Sequence, residues 1–287
     1  MIILIFRSIF VALSAIFAVF LVKDVAKSDL DKESGNVYTA SAIGFVSNFF
    51  DALGIGSFAI ATVLLRAFKQ VPDRLLPGTL NVMCILPTFL EAFIYIGIIQ
   101  TDFLTFFCMV TAAWIGGWLG AGYVAKLPER KVQIGMSIAL FLAATNMLLH
   151  QLNLMPTAHG VSLGVRGISL VIATFASVII GALVNIGIGF FAPCLSLAFL
   201  LGMSAKSAFP IMMAAAAACS YGSSFTFIRQ NAYSKKVTAC MAIFGMLGVL
   251  IAAFIVKSLP LNTMIWLVIA IIYYASTSLF LAKKKIT

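Results

Sequence analysis

Apolar residues run along this chain in long blocks, and the polar positions between them fall in short charged connectors. A helix of about 20 residues crosses a hydrocarbon core of roughly 30 Å, and no block shows the strict alternation of a barrel strand. The pattern predicts an all-α polytopic membrane protein. The first block, residues 2–22, is read as a retained helix. Its basic residue Arg7 lies inside the apolar run, and the charged flank VKDVAKSDLDKESGN lacks a small-residue cleavage site. One run departs from the pattern: NFFDALGIGSFAIA, residues 48–61, places an aspartate and two glycines inside an oily segment.

A shift of 133 positions lays GIGSFAIATVL, from Gly54, over GIGFFAPCLSL, from Gly187, and carries Pro77 onto Pro210. The chain divides into an N-terminal transmembrane helix and cytoplasmic loop (1–36), a first repeat (37–150), a linker (151–159), and a second repeat with a basic cytoplasmic tail (160–287). After Gly56 the run to Leu65 has about ten residues, roughly 15 Å of helix, so its start is expected near mid-membrane. Suppose each glycine-bearing segment turns back and leaves by the face it entered. Then 15 of the 19 Lys and Arg residues share one face, leaving Arg7, Arg166, Lys206 and Lys257 on the other. The expected architecture is two inverted-topology repeats, each a re-entrant glycine-tipped hairpin plus three transmembrane helices, with one additional N-terminal transmembrane helix. It places the N-terminus outside and the C-terminus in the cytoplasm of a bacterial-type inner membrane. Inverted repeats with broken helices are a recurrent plan of secondary transporters.

Composition agrees: 62% of residues are hydrophobic and 10% charged, with a mean hydropathy of +1.11. The excess of ten positive charges reads as a topology signal rather than a nucleic-acid footprint. The five cysteines lack metal-type spacing and read as packing residues, while His150 and His159 both fall in a polar connector. Zinc sites, Ser/His/Asp triads and iron–sulfur ligation lack their residues, and no histidine or paired acid stands beside a nucleophile within a span. No enzyme activity and no cofactor is expected. Without an ATP-binding loop, energy must come from gradients or from a partner.

Backbone that is not helical at mid-membrane must line protein or water. The tips, Gly54, Ile55, Gly56 and Ser57 in the first half and Gly187, Ile188, Gly189 and Phe190 in the second, are therefore candidate binding elements. Ser57 is expected to cap the first short helix, and Pro193 to sit in the first turn of the second. Two helix N-termini with free N–H groups suit an anion. Past each tip, Pro87 and Gly222 are expected to open the next helix, which makes Thr88, Ser220, Ser223 and Ser224 candidate hydrogen-bonding groups. Asn81 and Asn185 are weaker candidates of the same kind. Asp51 and Glu91 are the two acids within membrane blocks, where an ionisable group is a functional hypothesis by default. Each fits two roles: carrying a proton, or fixing a helix break by accepting N–H bonds.

The paired GxGxxA segments, with NFFDALGIGSFA, PGTLNV and PTFLEAFIY, resemble the TauE/SafE sulfite exporter-like permeases, also called the toluene-sulfonate uptake permease family, over about residues 37–282. The resemblance implies two homologous halves and transport of sulfite, sulfonates or related sulfur-containing or organic anions. Many members have a glycine triplet at the tip and no helix ahead of the first half, whereas this chain has Gly-Ile-Gly-Ser, Gly-Ile-Gly-Phe and an added first span. The expected partners are a small anionic solute and membrane lipid, with no nucleic acid; a homo-oligomer stays open. Two alternatives are a cation or metal-ion transporter using Asp51 and Glu91, and a non-transporting membrane scaffold.

Overall fold

The computed structural model describes residues 2–30, 33–53, 55–95, 101–152, 154, 162–187, 189–255 and 261–281. Expectations resting on Lys32, Lys257, Lys283, Lys284, Lys285, His159 and most of the linker lie outside those residues. The described helices are α1 (Ile2–Ala26), α2 (Val37–Ala52), α3 (Ser57–Ala67), α4 (Leu76–Tyr95), α5 (Phe103–Val124), α6 (Glu129–Gln151), α7 (Ile168–Val184), α8 (Phe191–Leu200), α9 (Ala205–Arg229), α10 (Lys235–Ile255) and α11 (Leu261–Phe280), with a 3-10 turn at Asp73–Leu75 before α4. Among the described residues the β-type pairing is one isolated bridge, Ser162 to Met203. The protein is an all-α polytopic membrane protein.

Among the described residues, five stretches are long and apolar enough to span a bilayer: Asp73–Ile94, Phe103–Val124, Glu129–Gln151, Ser207–Arg229 and Lys235–Phe254. Their burial differs and locates the centre. The windows on α4 and α9 are 83% and 78% buried, against 39–44% for those on α5, α6 and α10. The outer helices turn Trp114, Trp118, Phe141 and Phe244 outward, as side chains facing lipid do. Asn81, Thr88 and Glu91 therefore ride on one of the two innermost helices, α4, and Ser220, Ser223 and Ser224 on the other, α9.

Helix contacts fall into pairs that the 133-position shift relates. Helix α2 lies on α10, and its counterpart α7 on α5; α4 meets α10 while α9 meets α5; α3 touches α11 while α8 touches α6. The counterparts α4 and α9 pair with each other, as do α6 and α11, and α1 lies outside this scheme against α4 and α10. Glycines set the closest approaches. A Cβ at Gly44 would stand 2.4 Å from Met241 Cα, and one at Gly116 would stand 2.1 Å from the Val178 carbonyl oxygen. Without a hydrophobic drive between helices in lipid, such small-residue contacts supply the van der Waals packing.

Polar contacts tie the connectors into two groups, one at each end of the bundle. At one end the Asn36 N–H, just before α2, donates to Gln70 Oε1 at 2.7 Å, just after α3. Arg66 pairs with Asp73, Gln133 donates to Asp73 at 2.9 Å, and Lys235 pairs with Asp24 at 3.1 Å. At the other end the Ser204 N–H donates to the Ser162 carbonyl at 2.9 Å, and the Asp102 N–H to the Leu163 carbonyl at 2.9 Å. There Asp102 caps α5 by accepting from the Thr105 N–H at 2.8 Å and pairs with Arg166, whose guanidinium holds the Asp102 carboxyl well below the usual carboxylate range. The start of α2 and the end of α3 thus lie together at the first end, and the approach to α7 and the exit from α8 lie together at the second.

Two sequence expectations are corrected. Helix α4 runs unbroken through Pro87, and α9 runs unbroken through Gly222. Proline forfeits one i to i−4 bond, but packing on every side of this buried helix holds the remaining turns in line. Gly222 serves as a contact point instead: a Cβ there would lie 2.9 Å from the Trp114 carbonyl oxygen on α5.

Candidate functional site

The first tip is built around Asp51. Helix α2 ends at Ala52, the Ile55 N–H reaches back to the Phe50 carbonyl at 3.0 Å, and Gly56 turns the chain at φ +97°, a conformation that disfavours any Cβ. At that turn Asp51 Oδ1 accepts from the Ser57 N–H and Oδ2 from the Ser57 hydroxyl, both at 2.8 Å. Ser57 was expected to cap α3. It is instead the first helical residue; Gly56 holds the cap position without a side chain, and the carboxyl group of the preceding helix does the capping. The reason is geometric, since the turn carries Asp51 across the start of α3, where a carboxylate is favoured by the helix dipole. The Ser57 oxygen also lies 3.3 Å from Cys84 Sγ, which fixes the tip to the middle of α4.

The second tip lacks this clamp. Val184 and Phe190 occupy the places of Asp51 and Ser57 under the 133-position shift. Helix α7 ends at Val184, Gly187 turns at φ +99° beside Met136, and α8 starts at Phe191 with no side-chain cap. Pro193 is the third residue of α8, within its first turn as expected. The Phe190 ring packs into the apolar core, so only its backbone serves the tip. Gly54 and Ile188 lie outside the described residues. Gly56 and Gly189, matched by the shift, share one property: a Cβ built on either meets no heavy atom within 4 Å. At these two glycines the backbone faces open space.

The candidate side chains are buried, and several are unsatisfied. On α4, Asn81 donates to the Pro77 carbonyl at 2.8 Å while its Oδ1 has no partner, and Thr88 is buried. Glu91, on the same helix, is fully buried, and neither carboxyl oxygen has a hydrogen-bond partner among the described residues. On α9, Ser220, Ser223 and Ser224 are buried; the hydroxyl of Ser224 is unpartnered, as is that of Ser223 beside the weakly accepting Cys219 sulfur. Asn185 donates to the Gly117 carbonyl at 3.1 Å and shares its amide with Gly181 and Ala182, with Oδ1 left over. Buried polar atoms are almost always paired, so each of these unpartnered groups is a departure that packing alone does not explain.

Two residues escaped the sequence reading. Asn48 donates to the Gly44 carbonyl at 2.8 Å and keeps an unpartnered Oδ1; the spacing of Ser41, Gly44, Asn48 and Asp51 along one face of α2 was the signal for it. Cys84, read as packing, had no signal, because its contact with Ser57 is tertiary. Among the described residues no group of three or more His, Cys, Asp or Glu stands close enough to hold a metal ion. Two outer grooves, one beside Tyr38, Phe45 and Phe244 and one beside Phe141 and Phe280, are lined mainly by apolar side chains and include no tip residue.

Compared with known proteins, the chain matches the family described as "Sulfite exporter TauE/SafE" over residues 2–147, just over half its length. The matched stretch takes in α1 and the first half; the likeness read in the second half lies beyond it. No curated protein and no solved structure matches the chain.

Proposed function

The chain belongs to the sulfite exporter TauE/SafE family, a family of membrane permeases, and from that premise we propose that it carries a small anion of the class of sulfite, a sulfonate or a related oxidised sulfur species, by alternating access around the two glycine tips. The observation that carries this reading is the pair of matched glycines, Gly56 and Gly189, whose bare backbone opens to free space at the starts of two short helices. Backbone N–H groups at a helix start attract an anion, which at α3 competes with Asp51 for the Ser57 N–H and at α8 meets no side-chain cap. Asn81, Thr88, Ser220, Ser223 and Ser224, on the two central helices, supply groups to orient it.

The joined ends of α2 and α3, and of the α7–α8 pair, at opposite ends of the bundle support two hairpins entering the membrane from opposite faces. Basic residues of the first end, Arg66, Lys69, Arg74, Lys126, Arg130, Lys131, Lys235 and Lys236 among them, support a cytoplasmic placement for it. With an N-terminus outside and a C-terminus inside, the halves have opposite topology and provide the two gates of a rocking carrier. Small fixed glycines and uncommitted hydroxyls also suit a solute that must leave as readily as it binds.

Counterflow tests the proposal. Purified protein in liposomes loaded with unlabelled sulfite, or with an unlabelled sulfonate, should draw in the labelled form of the same anion, and protein-free liposomes should not. Exchange of cations without exchange of any of these anions would overturn it; so would the absence of solute-dependent flux of any kind.

A further inference from the structure

The two buried acids are not equivalent. Both carboxyl oxygens of Asp51 are engaged, one by the Ser57 N–H and one by the Ser57 hydroxyl. Glu91 is fully buried on α4, and neither oxygen has a partner among the described residues. An ionised carboxylate left without donors in such a place is strongly disfavoured, because its charge loses hydration and gains no hydrogen bond in return. A protonated carboxyl tolerates it far better. Among the described side chains, the titratable groups within electrostatic reach of Glu91 are Asp51 on α2 and Cys84 on α4 itself, and neither is basic. On α9 the titratable side chain packed toward α4 is Tyr221, stacked edge-on against Phe89. On α10 the titratable groups Cys240 and Lys236 interact with each other at the basic end, and Lys23, Asp24 and Arg66 of α1 and α3 also lie at that end; Arg7 stands in the opposite half of α1, and only its helical backbone is described.

We propose that Glu91 is the proton carrier of this permease and that Asp51 is a positioning residue that holds the first tip. The inference rests on the transport reading above and divides between two residues the roles that either could fill on sequence alone. In the cycle, Glu91 holds its proton while occluded between α4 and its neighbours. When the centre opens to the alkaline side, water reaches the carboxyl group, the O–H bond breaks, and the proton leaves as hydronium. The emptied carrier then returns with the carboxylate ionised and hydrated, opens to the acidic side, and takes a proton from hydronium there before solute is occluded again. One proton crosses per turnover, no electrons move, and the solute is not changed. A free carboxyl group can do this, whereas Asp51 would have to break the bonds that start α3 on every cycle.

Exchange and net transport separate this inference from the reading beneath it. Counterflow of labelled sulfite, or of a labelled sulfonate whose charge does not vary with pH, needs no net proton movement. In wild type, a pH difference imposed across the liposomes should also drive the exchanging anion uphill, by up to roughly tenfold per pH unit for one coupled proton. Glu91→Gln should retain counterflow within about twofold of wild type and lose the pH-driven accumulation; Asp51→Asn should retain pH-driven accumulation at whatever exchange rate it shows. Loss of wild-type counterflow would defeat the transport reading. Wild-type counterflow with pH-driven accumulation intact in Glu91→Gln, or abolished in Asp51→Asn alone, would overturn the assignment. Should Glu91→Gln fail to fold, infrared spectra decide: the C=O band of a protonated, poorly hydrated carboxyl should be present in wild type at neutral pH and persist in Asp51→Asn, and its disappearance in that variant would refute the proposal.

Discussion

Removing the carboxyl group of Asp51 should loosen the first tip by an amount that its two contacts set. In Asp51→Ala the Ser57 N–H and the Ser57 hydroxyl both lose their acceptors at a residue only 1% exposed. A net hydrogen bond contributes about 0.5–1.5 kcal/mol, and a buried donor left without an acceptor costs about 1–3 kcal/mol. The hydroxyl can still turn toward Cys84 Sγ at 3.3 Å, so the full penalty falls mainly on the N–H. The expected loss is about 2–4 kcal/mol for Asp51→Ala. Asp51→Asn keeps an oxygen for the N–H, and its amide can donate to the serine oxygen, so its loss should stay within about 1 kcal/mol. Ser57→Ala forfeits only the hydroxyl bond and should lose about 0.5–1.5 kcal/mol. Unfolding of the purified protein in mixed micelles, titrated with a denaturing detergent, measures this order, and a double-mutant cycle between positions 51 and 57 measures the coupling directly. A stability for Asp51→Ala equal to wild type would refute the clamp. Equal damage from Asp51→Asn and Asp51→Ala would show that charge rather than acceptor geometry matters there.

Gly44→Ala and Gly116→Ala drive a methyl group into the backbone of a neighbouring helix and should each cost about 1–3 kcal/mol, seen as a lowered melting temperature in detergent. Gly189→Ala meets no neighbour and should leave the melting temperature unchanged while slowing anion exchange; a stability loss as large as that of Gly116→Ala would contradict the open tip. The pairing of Asp102 with Arg166 depresses a carboxyl, so its contribution is complete above the unfolded value of about 4 and fades as pH falls from there toward the lower folded value. Asp102→Asn should therefore lower the melting temperature at pH 7 and flatten its decline below about pH 4; an unchanged acid limb in that variant would exclude the pair as its source.

The membrane class and the helices were legible because lipid imposes a length and an apolar content that no loop shares. The tips were legible because Gly-Ile-Gly occurs twice at one offset, and each pair precedes a short helix that a full span cannot accommodate. Asp51 and Glu91 stood out as acids in apolar runs, but their roles did not separate. Position 51 caps position 57 only because the non-helical residues between them fold back on α2, and a helical projection cannot supply that geometry. Pro87 misled in the opposite sense: local preference argues for a break, and burial of α4 between α9, α10 and α1 overrides it. The Ser57–Cys84 contact joins residues 27 positions apart, so no pattern in the chain announced it.

The packing treats the two halves alike, yet their tips differ in charge, and the difference can be tested by making them resemble each other. At the first tip a carboxyl group already serves the start of α3; at the second, Val184 leaves the start of α8 without a side-chain partner. On the transport reading, an incoming anion meets competition at the first helix terminus and none at the second. Val184→Asp places an acid on the position equivalent to Asp51, and Val184→Asn places a group of the same shape without charge. Both bury a polar group where a valine was 2% exposed, so both should lower stability, by a comparable amount if the acid is taken up by the backbone at the start of α8. Anion exchange should distinguish them, with Val184→Asp falling at least tenfold below Val184→Asn, since a fixed negative charge at the helix terminus opposes a second one by roughly 1.4 kcal/mol or more even at an effective dielectric near 20. Equal exchange by the two variants, with both shown to be folded by their melting curves, would mean that the solute does not visit the second tip.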